Sequence, residues 1–224
     1  MTDTNHQILQ QAHSPLKANV YLRATAEKTI VVKDYSKSPA WLRNTLCKFL
    51  MKREINTLKK LETIPGIPKF LSYEGTCAYR MEFIEGISPD HQFLGTNPGL
   101  LPQLANIVDQ MHNRGITHND LRPGNLIITP AKQVYLIDFG SVAYRPKSNA
   151  FWAKPGHWFF NYLRNTDNSK VARLKATFRP VELTELDKAL IAKTRIARKT
   201  TQWWKKFVLP IISPSKHKKN KNRS

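Results

Sequence analysis

An α+β fold is predicted by three observations. Short runs rich in β-branched and aromatic residues cluster in the first third of the chain. Two longer stretches, 39–62 and 99–114, instead place apolar residues three and four positions apart. Between 126 and 137, two apolar runs flank a Pro-containing turn and read as a hairpin.

The bounds are those of a globular chain. At 224 residues and 41% hydrophobic content, one or two domains with a sizeable core are expected. Two cysteines, Cys47 and Cys77, make neither a disulfide framework nor a metal site, and both sit in apolar patterns, so buried free thiols in a reducing compartment are expected. Met1 to His13 is polar and lacks an apolar h-region, so no signal peptide is expected. No apolar run reaches the roughly 18 residues of a membrane span. A cytoplasmic protein is expected, with a peripheral place at the inner face of the membrane as an extension.

Residues 1–15 carry little periodicity and are expected to be a flexible N-terminus. Asn19 to Thr25 and Thr29 to Tyr35 read as strands around a turn at Ala26-Glu27-Lys28. Pro39 to Glu62 reads as one helix whose apolar face is Leu42, Leu46, Phe49, Leu50, Leu58 and Leu61. Pro65-Gly66-Ile67-Pro68 ends it. Lys69 to Tyr73 and Ala78 to Ile84 are the next strands. Gly99 to Arg114 is a helix with a stripe of Leu101, Leu104, Ile107, Val108 and Met111, stopped by Gly115.

The hairpin carries the chemistry. Leu126-Ile127-Ile128 and Val134-Tyr135-Leu136-Ile137 are its strands, so Asn125 opens one and Asp138 closes the other. A hairpin sets its two open ends side by side, so both side chains reach one site. An amide oxygen and a carboxylate are hard ligands that suit Mg²⁺. Asp120, on the preceding loop, is placed to accept a proton from a hydroxyl. Phosphoryl transfer uses such parts: metal ions against phosphate charge and a carboxylate that orients the attacking oxygen.

His118-Asn119-Asp120-Leu121-Arg122-Pro123-Gly124-Asn125, followed by Asp138-Phe139-Gly140, resembles the catalytic and metal-binding loops of the protein kinase superfamily. The resemblance implies a two-lobed kinase-like fold with a truncated C-terminal lobe. It places an N-lobe at 16–85, a compact C-lobe at 86–199, and a basic, Trp-containing tail at 200–224. ATP and Mg²⁺ are the implied cofactors, with Asn125 and Asp138 as the metal residues. The implied catalytic residues are Asp120, Arg122, Lys33 and Glu54. Lys33 takes the place of the strand lysine that contacts the phosphates, and Glu54 that of its helix partner, preferred over Glu27 and Glu62. Nucleotide contacts are implied for Lys33, Val31, Met81, Glu82, Ile84 and Ile127: Met81 at the back of the pocket, Glu82 and Ile84 through backbone groups, Val31 and Ile127 on the faces of the base.

Departures from the pattern are equally informative. No glycine precedes Gly66, so the Gly-rich phosphate loop is missing. Asn119 stands where an arginine usually clasps an activation-loop phosphate. His118 reads as a packed structural histidine. No Ala-Pro-Glu motif follows Gly140, and no long peptide-docking helical extension is expected. Residues 141–157 read as a short activation-like segment, with helices at Trp158 to Leu163 and Leu183 to Arg198. This compact end is more similar to RIO-type and lipopolysaccharide-kinase branches than to eukaryotic signalling kinases.

Charge points to a second partner. The net charge is +20, and twelve Lys and Arg with no Asp or Glu lie from Lys188 onward, contributing +12. Trp203-Trp204-Lys205-Lys206-Phe207 suits an anionic bilayer interface, and packing of these tryptophans on the C-lobe is the alternative. No nucleic-acid module accompanies the charge. The expected function is ATP-dependent phosphorylation of a hydroxyl, on protein Ser/Thr or on a lipopolysaccharide core sugar or other small molecule. A nucleotide-binding pseudokinase scaffold is the reading from another class.

Overall fold

Alternation of β-branched residues builds the first part of the chain. In the computed structural model, which describes residues 6–11, 17–148 and 150–193, five strands form one sheet: β1 (His6–Gln10), β2 (Asn19–Ala24), β3 (Thr29–Asp34), β4 (Phe70–Glu74) and β5 (Ala78–Glu82). Their order is β1-β2-β3-β5-β4, and every neighbouring pair is antiparallel. The period of two assigns the faces. Ile30 and Val32 of β3 are buried on one side with Ala78. Val31 and Tyr35 join the main core on the other, and Lys33 shares their face.

β1 corrects the expectation of a loose segment over 1–15. Residues 6–10 add an edge strand through backbone pairing with β2. Apolar burial does not hold it, since Ile8 and Leu9 are 59% and 51% exposed. This is why periodicity gave no signal there.

The helix expected over 39–62 is continuous but not uniform. It runs as α1 (Ala40–Leu42), a π turn at Arg43–Cys47, and α2 (Lys48–Leu61). A π turn accommodates one extra residue and so shifts the phase of the face. Leu46 and Phe49, expected inside, are exposed, while Cys47, Met51, Ile55 and Leu58 are buried.

The rest of the described residues are mostly helical. They comprise α3 (His91–Thr96), α4 (Leu100–Asn113), β6 (Ile116–Thr117), β7 (Leu126–Ile128), β8 (Val134–Leu136), β9 (Ala143–Tyr144) and α5 (Lys154–Phe178). β7 pairs with β8 as the expected hairpin, and β6 pairs with β9. The α4 stripe is buried as expected: Leu101, Leu104, Ile107, Val108 and Met111 are each at most 4% exposed.

α5 is longer than the sequence indicated, running for 25 residues in all and continuing past the aromatic start to Phe178. Asn165 to Ser169 are poor helix formers. They are helical here because Asp167, Ser169, Val171 and Ala172 are buried on the side that packs against α4 and β6. Of the helix expected over 183–198, residues 185–193 are helical, and the remainder lies outside the described residues, as does the tail at 200–224. Neither cysteine is in a disulfide, but Cys77 is only half-buried, which corrects the expectation of two buried thiols. No helix among the described residues is long and apolar enough to cross a membrane.

Candidate active site

β3 and α2 supply the first pair. Lys33 lies on the core-facing side of β3, and Glu54 lies among the buried residues of α2. Lys33 Nζ donates to Glu54 Oε1 at 2.5 Å and lies 3.9 Å from Asp138 Oδ1. Burial alone would lower the lysine pKa. The Glu54 and Asp138 carboxylates, with the Glu54 hydrogen bond, outweigh it and raise the value. The ammonium is therefore held protonated.

The hairpin supplies the second group. Ile137 N–H donates to the Asn125 carbonyl at 2.9 Å, which aligns the two open ends. Asn125 is buried, and its Nδ2 donates to Asp120 O at 2.8 Å and to Asp120 Oδ2 at 2.9 Å. Its amide oxygen is thereby oriented as an acceptor. Asp138 has φ 66° and ψ 73°, in the left-handed region. That conformation costs on the order of 1 kcal/mol for a non-glycine residue and aims a half-exposed carboxylate toward Lys33. Asn125 thus presents an amide oxygen and Asp138 a carboxylate, both of them hard oxygens.

The loop between β6 and β7 carries Asp120. Its carboxylate is 41% exposed, and Arg122 Nε lies 3.3 Å from Oδ2. His118 is fully buried, edge-to-face with Phe139 at 5.3 Å between ring centroids. Its Nε2 donates to Ile137 O at 3.1 Å, and its Nδ1 accepts from Asp120 N at 3.3 Å. Both ring nitrogens are thus satisfied by the neutral Nε2–H tautomer. Desolvation lowers its pKa, against the pull of Asp167 and the Ile137 carbonyl. The packing role expected for His118 is what the geometry displays.

Sequence reasoning missed the anchor of this loop. Asp167 of α5 is fully buried. It accepts from His118 N at 2.7 Å, Asn119 N at 2.9 Å and His112 Nε2 at 3.3 Å. Lys170 Nζ donates to the Asn119 carbonyl. Asn119 needs this support, since it sits at φ 69°. One signal was available: no other acidic residue lies between Gly140 and Asp167. Tyr144 of β9 was also missed. Its hydroxyl bonds Thr57 Oγ1 and donates to Arg53 O, tying β9 to α2 one turn from Glu54.

The predicted nucleotide-contact residues lie on β3, β5, the segment after β5 and β7. Val31 and Met81 face each other across β3 and β5. Glu82 N–H is already taken by Lys69 O at 2.9 Å, so only its carbonyl remains for a base on that residue. After Ile84 the chain bridges to β7, Ile87 N to Ile128 O at 3.0 Å and Ile128 N to Ile87 O at 2.8 Å. Gly86 is required at that approach: a Cβ there would meet Ile128 O at 2.4 Å and Ile127 Cγ2 at 2.8 Å. Ile127 is thereby brought beside the segment that leaves β5.

Residues 51–174 match the family model described as the ABC1 atypical kinase-like domain. That span includes Glu54, Asp120, Asn125, Asp138 and Asp167 but begins after Lys33. The chain is 30% identical over 113 residues to the serine/threonine-protein kinase PknD of Mycobacterium tuberculosis, covering 46% of this chain and 17% of that protein. It is 35% identical over 104 residues to the probable serine/threonine-protein kinase YbdM of Bacillus subtilis, covering 42% of this chain and 40% of that protein. It is 34% identical over 107 residues to the CBL-interacting serine/threonine-protein kinase 21 of Arabidopsis thaliana, covering 44% and 25%. The aligned stretch thus spans less than half the length of each of these relatives.

Proposed function

Because this chain belongs to the ABC1 atypical kinase-like family, within the protein kinase superfamily, we propose that it is an ATP-dependent phosphotransferase acting on a hydroxyl. The β-sheet with α2 would form one lobe (16–85) and the helical part the other (86–199), with the nucleotide between them. The observation that carries this reading is the convergence of Lys33, Glu54 and Asp138, from three separate elements, within 2.5 and 3.9 Å contacts.

The residues fit the groups the reaction needs. The amide oxygen of Asn125 and the carboxylate of Asp138 would hold Mg²⁺, which supplies charge neutralisation for the phosphates. Lys33, kept protonated by Glu54, would bind phosphate oxygens. Asn125 and Arg122 occupy one oxygen of Asp120. Its other oxygen can take the proton of the acceptor hydroxyl as the new O–P bond forms and the bridging P–O bond breaks. Arg122 would offset charge on the transferred group. Val31 and Ile127 would flank the base, with Met81 behind it and the Glu82 carbonyl and Ile84 backbone at its edge.

The relatives' names favour protein Ser/Thr as acceptor, and the missing peptide-docking motif favours a sugar or other small molecule. Transfer from γ-labelled ATP to both acceptor classes tests the reading. Label transfer in wild type that vanishes in Asp120→Ala and Asp138→Ala supports it. Nucleotide binding without transfer to any acceptor and without ATP turnover would leave the scaffold reading instead.

A further inference from the structure

We propose that Asn119 is a positioning residue of the site, whose side chain sets the place of the Asp138 carboxylate relative to Asp120. Asp138 needs holding on both sides. Its backbone is in the left-handed region, and Asp138, Gly140 and Ser141 are all exposed. Phe139 and Val142 are fully buried, so apolar packing pins the segment at those two residues. Ser141 has no such packing, and a side chain of the facing loop takes its carbonyl instead: Asn119 Nδ2 donates to Ser141 O at 2.8 Å. His118 Nε2 donates to Ile137 O at 3.1 Å. Two consecutive side chains of the Asp120 loop therefore hold the backbone one residue before Asp138 and three residues after it.

Asn119 can grip Ser141 because its own main chain is fixed. Its N–H donates to Asp167 Oδ1 at 2.9 Å, and its carbonyl accepts from Lys170 Nζ. Its φ of 69° is one that asparagine tolerates better than most residues. The amide is also fixed in sense. Its Oδ1 is buried and finds no donor among the described residues. A flipped amide would set that oxygen against the Ser141 carbonyl, so only the observed orientation gives a hydrogen bond there.

The consequence lies in where the two loops carry their carboxylates. Asp120 follows Asn119 directly, and Asp138 precedes Ser141 by three residues. The Asn119 bond therefore keeps the register between the proton acceptor and the metal-binding carboxylate. On the phosphotransfer reading above, on which this part rests, a slip of about 1 Å between them separates the acceptor hydroxyl from the phosphate and slows transfer. Asn119 touches neither reactant and acts through Asp138.

Two variants of the full-length protein test this, with circular dichroism as the folding check. Asn119→Gly keeps the backbone conformation and removes the amide. Asn119→Asp keeps the shape and sets a carboxylate oxygen against the Ser141 carbonyl. Hydrogen exchange without nucleotide, read on peptides spanning 137–144, should be about tenfold faster in both than in wild type, the worth of one hydrogen bond. Mn²⁺ binding in the presence of ADP, followed by electron paramagnetic resonance, should weaken by about the same factor. Label transfer should then need more Mg²⁺ and show a lower kcat, with the nucleotide KM at saturating Mg²⁺ unchanged. Wild-type exchange over 137–144 in both variants would overturn the proposal. So would a lowered thermal midpoint with Mn²⁺ affinity unchanged, which marks a merely structural residue. A wild type that transfers no label would unseat the phosphotransfer reading alone, and the exchange result would still decide the tie between the loops.

Discussion

The hydroxyls of Thr57 and Tyr144 lie 2.6 Å apart, although 87 residues separate them in the chain. Tyr144 also donates to Arg53 O, while its strand pairs with the one that leads into Asp120. The helix that carries Glu54 and the loop that carries Asp120 are therefore joined through one side chain. Tyr144→Phe should lower stability by about 0.5–1.5 kcal/mol. It should also raise the KM for ATP more than it changes kcat, because Glu54 loses a brace. Urea unfolding and steady-state kinetics read the two effects.

Lys33 and Glu54 are a buried ion pair, with side chains 13% and 3% exposed. Removing one partner strands the other charge. Lys33→Met should cost about 3–5 kcal/mol, and adding Glu54→Leu should recover much of that loss. Additive losses in chemical denaturation would contradict the pairing.

Asp167 satisfies three donors with one carboxylate. Asp167→Ala should therefore destabilise the protein by on the order of 3 kcal/mol or more. Asp167→Asn keeps one acceptor oxygen and should be intermediate. The order wild type, Asn, Ala in thermal midpoint is the expected result.

His118 makes stability pH-dependent. Its folded pKa lies below the ordinary 6.5, because burial disfavours the charged ring. The unfolded chain then binds a proton that the folded one does not. Stability from this residue is complete above 6.5 and declines as pH falls from there through the folded value. His118→Asn should flatten that acid-side slope in thermal melts taken across the range.

Asp120 is the test of chemistry. Asp120→Asn should reduce transfer about 10²–10⁴-fold with nucleotide affinity little changed, the span typical of a positioned proton acceptor. Single-turnover label transfer and nucleotide titration separate the two.

What the sequence revealed follows from range. Asn125 and Asp138 flank one hairpin, so local strand signals suffice to bring them together. Lys33 and Glu54 were legible through the kinase-like spacing, and the structure pairs them. Asp167 and Tyr144 were not, because their partners are reached only after α4, α5 and β9 pack. Leu46 and Phe49 failed for a different reason. Their spacing is regular, and the π turn breaks the rule that the spacing assumes. The edge strand at His6–Gln10 is held by backbone pairing, which side-chain pattern does not encode.

That π turn has a mechanical meaning. It acts as a slipped tooth between two gears: the front of the helix, anchored by Arg43 to Ser36 O, is indexed separately from the back, which carries Glu54. Deleting one residue there would restore a regular thread and turn the front by about 100° relative to the back. The Lys33–Glu54 pairing would keep its seat while Trp41 and its neighbours swing to a new bearing.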